Sequence, residues 1–125
     1  MTIRGLRLFV RPIEAEDHDD LRAFYAKTGV PSLPPAWGVL GKLLGEVVAV
    51  VAMEITADAV RIDDIVVVGE LRRKRIGRAM MREVEQLAVK FDRRKIIIEE
   101  VRGAQEFFRR IGFVSEGDRW VRVVS

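Results

Sequence analysis

The chain has no cysteine. That excludes a disulfide framework, a thiol nucleophile and a thiolate metal site. His18 is the only histidine and Tyr25 the only tyrosine. A histidine acting as ligand or base would need partners that the sequence does not show, so His18 reads as a surface side chain and no metal site is expected. Tyr25 reads as a packing residue with its hydroxyl at the surface. No Gly-Lys-Ser/Thr follows a glycine-rich loop, which excludes a Walker site, and Gly77 stands alone where a dinucleotide fingerprint needs several glycines. Nothing resembles a signal peptide or an apolar run of membrane-spanning length, which makes the cytoplasm the expected compartment, with no membrane partner. Neither sign of charge dominates: 22 Lys and Arg stand against 19 Asp and Glu, a net +3. Much of that excess falls in one loop, which argues against a general nucleic-acid binder.

What is present fits one soluble α/β domain spanning residues 1–125. A chain of this length buries about two-thirds of its unfolded surface. The organising stretch is Ile65-Val66-Val67-Val68-Gly69-Glu70-Leu71-Arg72-Arg73-Lys74-Arg75-Ile76-Gly77-Arg78. Its β-branched start predicts a strand buried on both faces. A turn at Gly69 and a basic loop lead into a helix whose apolar residues recur at Ile76, Met80, Val84, Leu87 and Phe91. A second apolar run, Lys95 to Val101, follows. Strand, helix and strand joined by short links predict a βαβ unit with parallel neighbouring strands. Ligands of such units sit beyond the carboxyl ends of the strands, where the helix N-terminus points. Five basic residues lie there between Arg72 and Arg78, namely Arg72, Arg73, Lys74, Arg75 and Arg78. Cations, helix N–H groups and a helix dipole in one place predict an anion site, most naturally for phosphate. The plainer reading is a solvated basic face or a nucleic-acid patch.

Val67 through Met81 resembles the signature segment of the GNAT superfamily of acyl-CoA-dependent N-acyltransferases. The family pattern is Arg or Gln, two residues, Gly, one residue, then Gly or Ala. Arg72 and Gly77 match its ends, and Arg75 stands in place of its first glycine. Ala104-Gln105-Glu106-Phe107-Phe108-Arg109-Arg110-Ile111-Gly112-Phe113 is similar to the family's later segment, at about the family's spacing. The resemblance implies a GNAT-like fold and an acetyl group carried by acetyl-CoA to a primary amine on a small molecule or protein, in a chain that could pair as a homodimer. It implies that backbone groups of Val66, Val67 and Val68 hold the pantetheine arm as an added strand would, and that an amide there polarises the thioester carbonyl. The pyrophosphate would be gripped by Arg72 to Arg78, with Ile76 and Gly77 in the helix start, and Phe107 and Phe108 would border the cofactor.

Around this centre the sequence predicts a first strand from Leu6 to Pro12 and a helix from Glu14 to Lys27, with Glu14, Glu16 and Asp17 favouring the positive end of its dipole. Gly29 to Gly38, with three prolines, cannot be regular structure. The family usually has a second helix over the acceptor there. Trp37 would either line that pocket or pin the loop to the core. Trp37 to Leu44 and Glu46 to Ile55 read as strands about a hairpin. Val60 begins the strand that enters the central motif. A short helix at Ala104 to Arg110 and closing strands at Phe113-Val114 and Trp120 to Val124 complete a mixed α/β layer sandwich with an antiparallel meander.

A free alkylamine has a pKa near 10, so attack on a thioester needs a base. Asp63 and Asp64 precede the central motif, and Glu99 and Glu100 end the next strand. Strand alternation would turn one member of each pair to each side of the sheet. The family commonly places an acid near the position of Asp63; otherwise these are exposed carboxylates or partners for the arginines. Together they favour a cationic amine. At the position of Phe108 the family usually carries a tyrosine that protonates the leaving thiolate. A general acid is worth about 10²- to 10⁴-fold, but thiolate is a tolerable leaving group. The departures at Arg75 and Phe108 also suit a degenerate acyl-CoA-binding or regulatory protein without turnover.

Overall fold

In the computed structural model, residues 2–3, 5–31, 33–69, 75–99 and 105–124 are described. The basic loop from 70 to 74 and the segment from 100 to 104 lie outside them, and with them the expected site residues Arg72, Arg73, Lys74 and Glu100.

The chain starts with a two-stranded hairpin, β1 (Thr2–Ile3) and β2 (Leu6–Arg7). The single first strand expected from Leu6 to Pro12 is therefore divided at Leu8, whose side chain is buried in the core, and β3 (Phe9–Pro12) joins the main sheet instead. A turn of 3₁₀-helix at Ala15–Asp17 leads into α1 (His18–Thr28), closed by Gly29 in the left-handed conformation. Strands β4 (Gly38–Leu43), β5 (Glu46–Ile55) and β6 (Val60–Val67) form the meander. The central unit continues with α2 (Ile76–Lys90) and β7 (Lys95–Ile98), followed by α3 (Gln105–Arg110), β8 (Val114–Glu116) and β9 (Arg119–Val123). Among the described residues the main sheet runs β3-β4-β5-β6-β7-β9-β8, and β6 to β7 is its parallel step.

Both faces of the sheet are covered, as the unbroken apolar runs of the central strands require. On one face α2 lays down Ile76, Met80, Met81, Val84, Leu87 and Ala88 against Val39, Val51, Val60, Ile62, Ile96 and Ile98. Phe108 of α3 and Phe113 join this core. On the other face Leu21, Phe24 and Tyr25 of α1 pack on Leu40, Val47, Val50 and Val66. The helical period read from Ile76 to Leu87 holds. Phe91, just past the helix, is instead 39% exposed and meets Trp37 edge to face at 5.8 Å. Trp37 thus pins the proline-rich loop to the end of α2 remote from the helix start. A 15-residue helix puts about 20 Å between the two ends.

Gly38 shows why the loop must end in glycine. Its φ is +152°, and a Cβ would sit 2.1 Å from the Val51 carbonyl oxygen.

Candidate functional site

Strands β6 and β7 stay paired only from Val60↔Ile96 to Ile62↔Ile98. The register between β5 and β6 shifts at the next residue: Met53 pairs with Ile62 and Ala52 with Asp64, leaving Asp63 as the extra residue of a bulge. Parallel pairing to β7 stops and the bulge starts at the same level. Past it, β6 remains paired to β5 through Ala49↔Val67, and the Val68 N–H donates to the Val48 carbonyl at 2.9 Å. Ladder alternation then turns the N–H groups of Val66 and Val68 toward β5, and those of Ile65 and Val67 toward the opposite edge. That edge carries the backbone groups an extended ligand could pair with.

The bulge also overturns the alternation expected for the two aspartates. Val60 and Ile62 face α2, but beyond the extra residue it is Ile65 and Val67 that pack toward the α2 core, and Val66 faces α1. Asp63 and Asp64 are both exposed and both turn to the α1 side of the sheet. Asp63 Oδ1 accepts from Arg61 Nε at 2.8 Å, and Arg61 Nη2 donates to Glu54 Oε2 at 2.8 Å. The Asp63 hydrogen bond and charge, with smaller contributions from the charges of Glu54 and Glu99, raise the Arg61 pKa against desolvation. Asp64 is engaged differently. Its Oδ1 accepts the N–H of Ile65 at 2.9 Å, and its charge reaches Tyr25. Burial and then Asp64 push the Tyr25 hydroxyl up to about 12, so Tyr25 is a buried side chain that keeps its proton. Glu99 is exposed just beyond β7.

At the helix start, Arg75 is the N-cap, with φ 64°, ψ 15° and no side-chain capping bond. The first rung of α2 is the Ala79 N–H to the Arg75 carbonyl, 3.2 Å. The N–H groups of Ile76, Gly77 and Arg78 precede it and lack intrahelical partners. Arg75 and Arg78 are exposed beside them. The Ile76 side chain is 1% exposed in the core, so only its backbone can face a ligand. Gly77 lies against Phe107, whose ring stands edge to face on Phe108 at 5.1 Å, and Phe108 in turn on Phe113 at 5.4 Å. Phe107 is half-buried and Phe108 is buried. The described residues thus bring together the β6 edge at Ile65 to Val68, the start of α2 and the aromatic face of α3. They hold no group of three or more acids or histidines able to take a metal ion, and no helix long and apolar enough to cross a membrane.

Comparison with known proteins agrees with this fold. No curated protein sequence matches the chain. Solved structures do: an acetyltransferase of the GNAT family from Streptococcus pneumoniae, at 14% identity and TM-score 0.78, covers 95% of this chain and 100% of its own. The ribosomal-protein-S18-alanine N-acetyltransferase of Escherichia coli, at 12% identity and TM-score 0.71, covers 95% of both chains. N-acetylglutamate synthase from Neisseria gonorrhoeae, solved with coenzyme A and N-acetyl-glutamate, is 12% identical with TM-score 0.77, over 95% of this chain and 35% of its own. At these identities the likeness shows the fold. The family model of the GNAT acetyltransferases matches residues 6–113, and the chain belongs to that family.

Proposed function

We propose that the protein transfers an acetyl group from acetyl-CoA to a primary amine. The observation that carries this reading is the coincidence of three features: the end of β6–β7 pairing at Ile62, the outward N–H groups of Ile65 and Val67, and the three unladdered N–H groups at the start of α2. The first two offer an edge to a pantetheine arm. The third, with Arg75 and Arg78, offers a pyrophosphate site. Membership in the GNAT family and the coenzyme A bound to the Neisseria gonorrhoeae synthase support the same donor. Arg72, Arg73 and Lys74 would add charge to the grip. Held at both ends, the thioester meets the amine as in an intramolecular reaction.

In the transfer, the amine nitrogen forms the new C–N bond, the C–S bond breaks with its electron pair going to sulfur, and the amine proton passes to a base. Asp64 is the best placed of the described acids. Asp63 is held by Arg61, whereas Asp64 bonds a backbone N–H at the edge itself. Asp63, Glu99 and Glu100 would then give the surroundings the negative charge that suits a cationic acceptor. Acetyl-CoA should raise the melting temperature, since ligand at 100 times Kd adds about 2.7 kcal/mol to unfolding. A panel of amines monitored by free thiol release should then show turnover. No thermal shift with acetyl-CoA would end this reading.

A second reading is favoured by one observation. Phe108 is buried between two aromatic rings, where the family's tyrosine would supply a proton. On that reading the protein binds acyl-CoA without turnover. A full thermal shift with no thiol release from any amine would select it.

A further inference from the structure

Resting on the acyl-CoA reading, we infer that Asp64 is a competitor for the acyl carbonyl: in the ligand-free protein its carboxylate occupies the Ile65 N–H that a bound thioester would otherwise engage. Two independent features place that N–H. The Val68 to Val48 bond fixes the ladder phase, so Ile65 points away from β5. The Asp64 Oδ1 to Ile65 N–H contact of 2.9 Å shows the donor already turned outward and satisfied locally. The bulge at Asp63 makes this geometry available. It brings Asp64 to the level where β7 leaves, and the register past it carries the Ile65 amide to the open edge. A side chain bonded to the next residue's N–H closes a small loop and competes with any external acceptor at high effective concentration. With the Val67 N–H taking the pantetheine arm and the start of α2 the pyrophosphate, the Ile65 N–H is left to the acyl carbonyl. The competition therefore falls on the thioester carbonyl, which free CoA lacks, and Asp64 lowers the preference of the protein for acyl-CoA over free CoA. When the carbonyl takes the N–H, the carboxylate is released to the α1 side, where the acceptor amine would stand and where Tyr25 lies within reach of its charge.

The test compares acetyl-CoA with CoA by titration calorimetry on the wild type, Asp64→Ala and Asp64→Asn. Removing the competitor should tighten acetyl-CoA by about threefold to tenfold, the worth of one hydrogen bond, and leave CoA unchanged. Asp64→Asn keeps a neutral acceptor and should fall between. Amide NMR on the ligand-free wild type gives a readout independent of binding. The Ile65 N–H should carry the downfield shift of a hydrogen bond to a carboxylate and lose it in Asp64→Ala. Equal changes for both ligands, or an Ile65 amide that ignores Asp64, would overturn the inference while leaving acyl-CoA binding intact. Failure of the wild type to bind either ligand would instead overturn the acyl-CoA reading and this inference with it.

Discussion

The ring of Phe107 lies so close to Gly77 that a Cβ on the glycine would fall 2.8 Å from Phe107 Cζ and 3.0 Å from Cε1. Glycine at the start of α2 is therefore required by a contact with α3 as well as by any phosphate. An acid placed at Gly77 would strike the ring before it repelled a ligand, so loss of acyl-CoA binding in such a variant reads both effects at once. Gly77→Ala separates them. Crowding in a packed site costs about 1–3 kcal/mol, while alanine in place of glycine in a helix returns about 1 kcal/mol. The half-buried ring can shift, and the expected net loss is about 1 kcal/mol by urea midpoint. Phe107→Ala combined with Gly77→Ala should recover the helix gain, giving a coupling of at least 0.5 kcal/mol in the double-mutant cycle. Additive effects would show that the ring does not rest on Gly77.

Arg75 stands where the family pattern has glycine, and it holds φ 64° without a capping bond. A non-glycine residue in this region costs about 1–3 kcal/mol, which glycine avoids. Arg75→Gly is expected to raise stability by about 0.5–1 kcal/mol, part of the relief being offset by glycine's greater unfolded-state entropy. The same change removes an exposed cation beside the N–H groups of Ile76, Gly77 and Arg78. Acyl-CoA affinity should weaken a few-fold, and its salt dependence should become shallower. Arg75 would then be exchanging stability for charge. A variant that is less stable than wild type, or binds more tightly, would reject that account.

The βαβ unit, the hairpin at Gly45 and the buried face of α2 were legible because each has a period or a turn residue that sets it. The apolar spacing from Ile76 to Leu87 leaves one face to bury, and Gly45 takes the positive φ of 78° at which the chain turns back between β4 and β5. The bulge at Asp63 was not legible. An extra residue in a ladder depends on the partner strand, and nothing in Ile62-Asp63-Asp64-Ile65 marks it apart from two polar residues where alternation allows one. That missed residue decides which way both aspartates face and which amides point outward, so the acids could be nominated from sequence but not ranked. Asp17 was read as one of several acids complementing a helix dipole. Its burial at 3% exposure depends on Arg11 and Lys42 arriving from β3 and β4, which no local pattern reveals.

Asp17 supplies an acid-stability prediction. Arg11 Nη1 and Nη2 both donate to its carboxylate at 2.7 Å, and the Glu14 N–H donates at 2.8 Å. The Arg11 hydrogen bonds lead in lowering its pKa from 3.8 to about 2, against burial, with the Glu14 N–H and the charges of Arg11 and Lys42 adding to the effect. Because the folded value lies below the unfolded one, the stabilisation is complete above about pH 4 and is lost as pH falls toward 2. Two pH units would be worth nearly 3 kcal/mol; partial exposure of Arg11 reduces this to about 1–2 kcal/mol. Asp17→Asn should be less stable than wild type by that amount at pH 7, with the difference closing between pH 4 and pH 2. A gap that persists unchanged at pH 2 would trace the loss to packing.

Phe108 tests whether the missing proton donor can be restored. The ring is 5% exposed, with Phe107 and Phe113 meeting it at interplanar angles of 69° and 73°. In Phe108→Tyr the hydroxyl enters a largely apolar site, and without a partner it costs about 1–3 kcal/mol. A ligand sulfur at the edge of β6 would provide that partner, so the loss should shrink when acyl-CoA is bound. The wild type should show a rate that rises as the amine deprotonates and then levels off. Phe108→Tyr should add a falling limb above pH 10, because burial raises the phenol, and should raise kcat if protonation of the thiolate limits turnover. The pH–rate profiles of both forms, measured with one saturating amine, decide the matter. A falling limb already present in the wild type would assign the proton to another group, and Tyr25, held protonated up to about 12 beside Asp64, would be the first to replace.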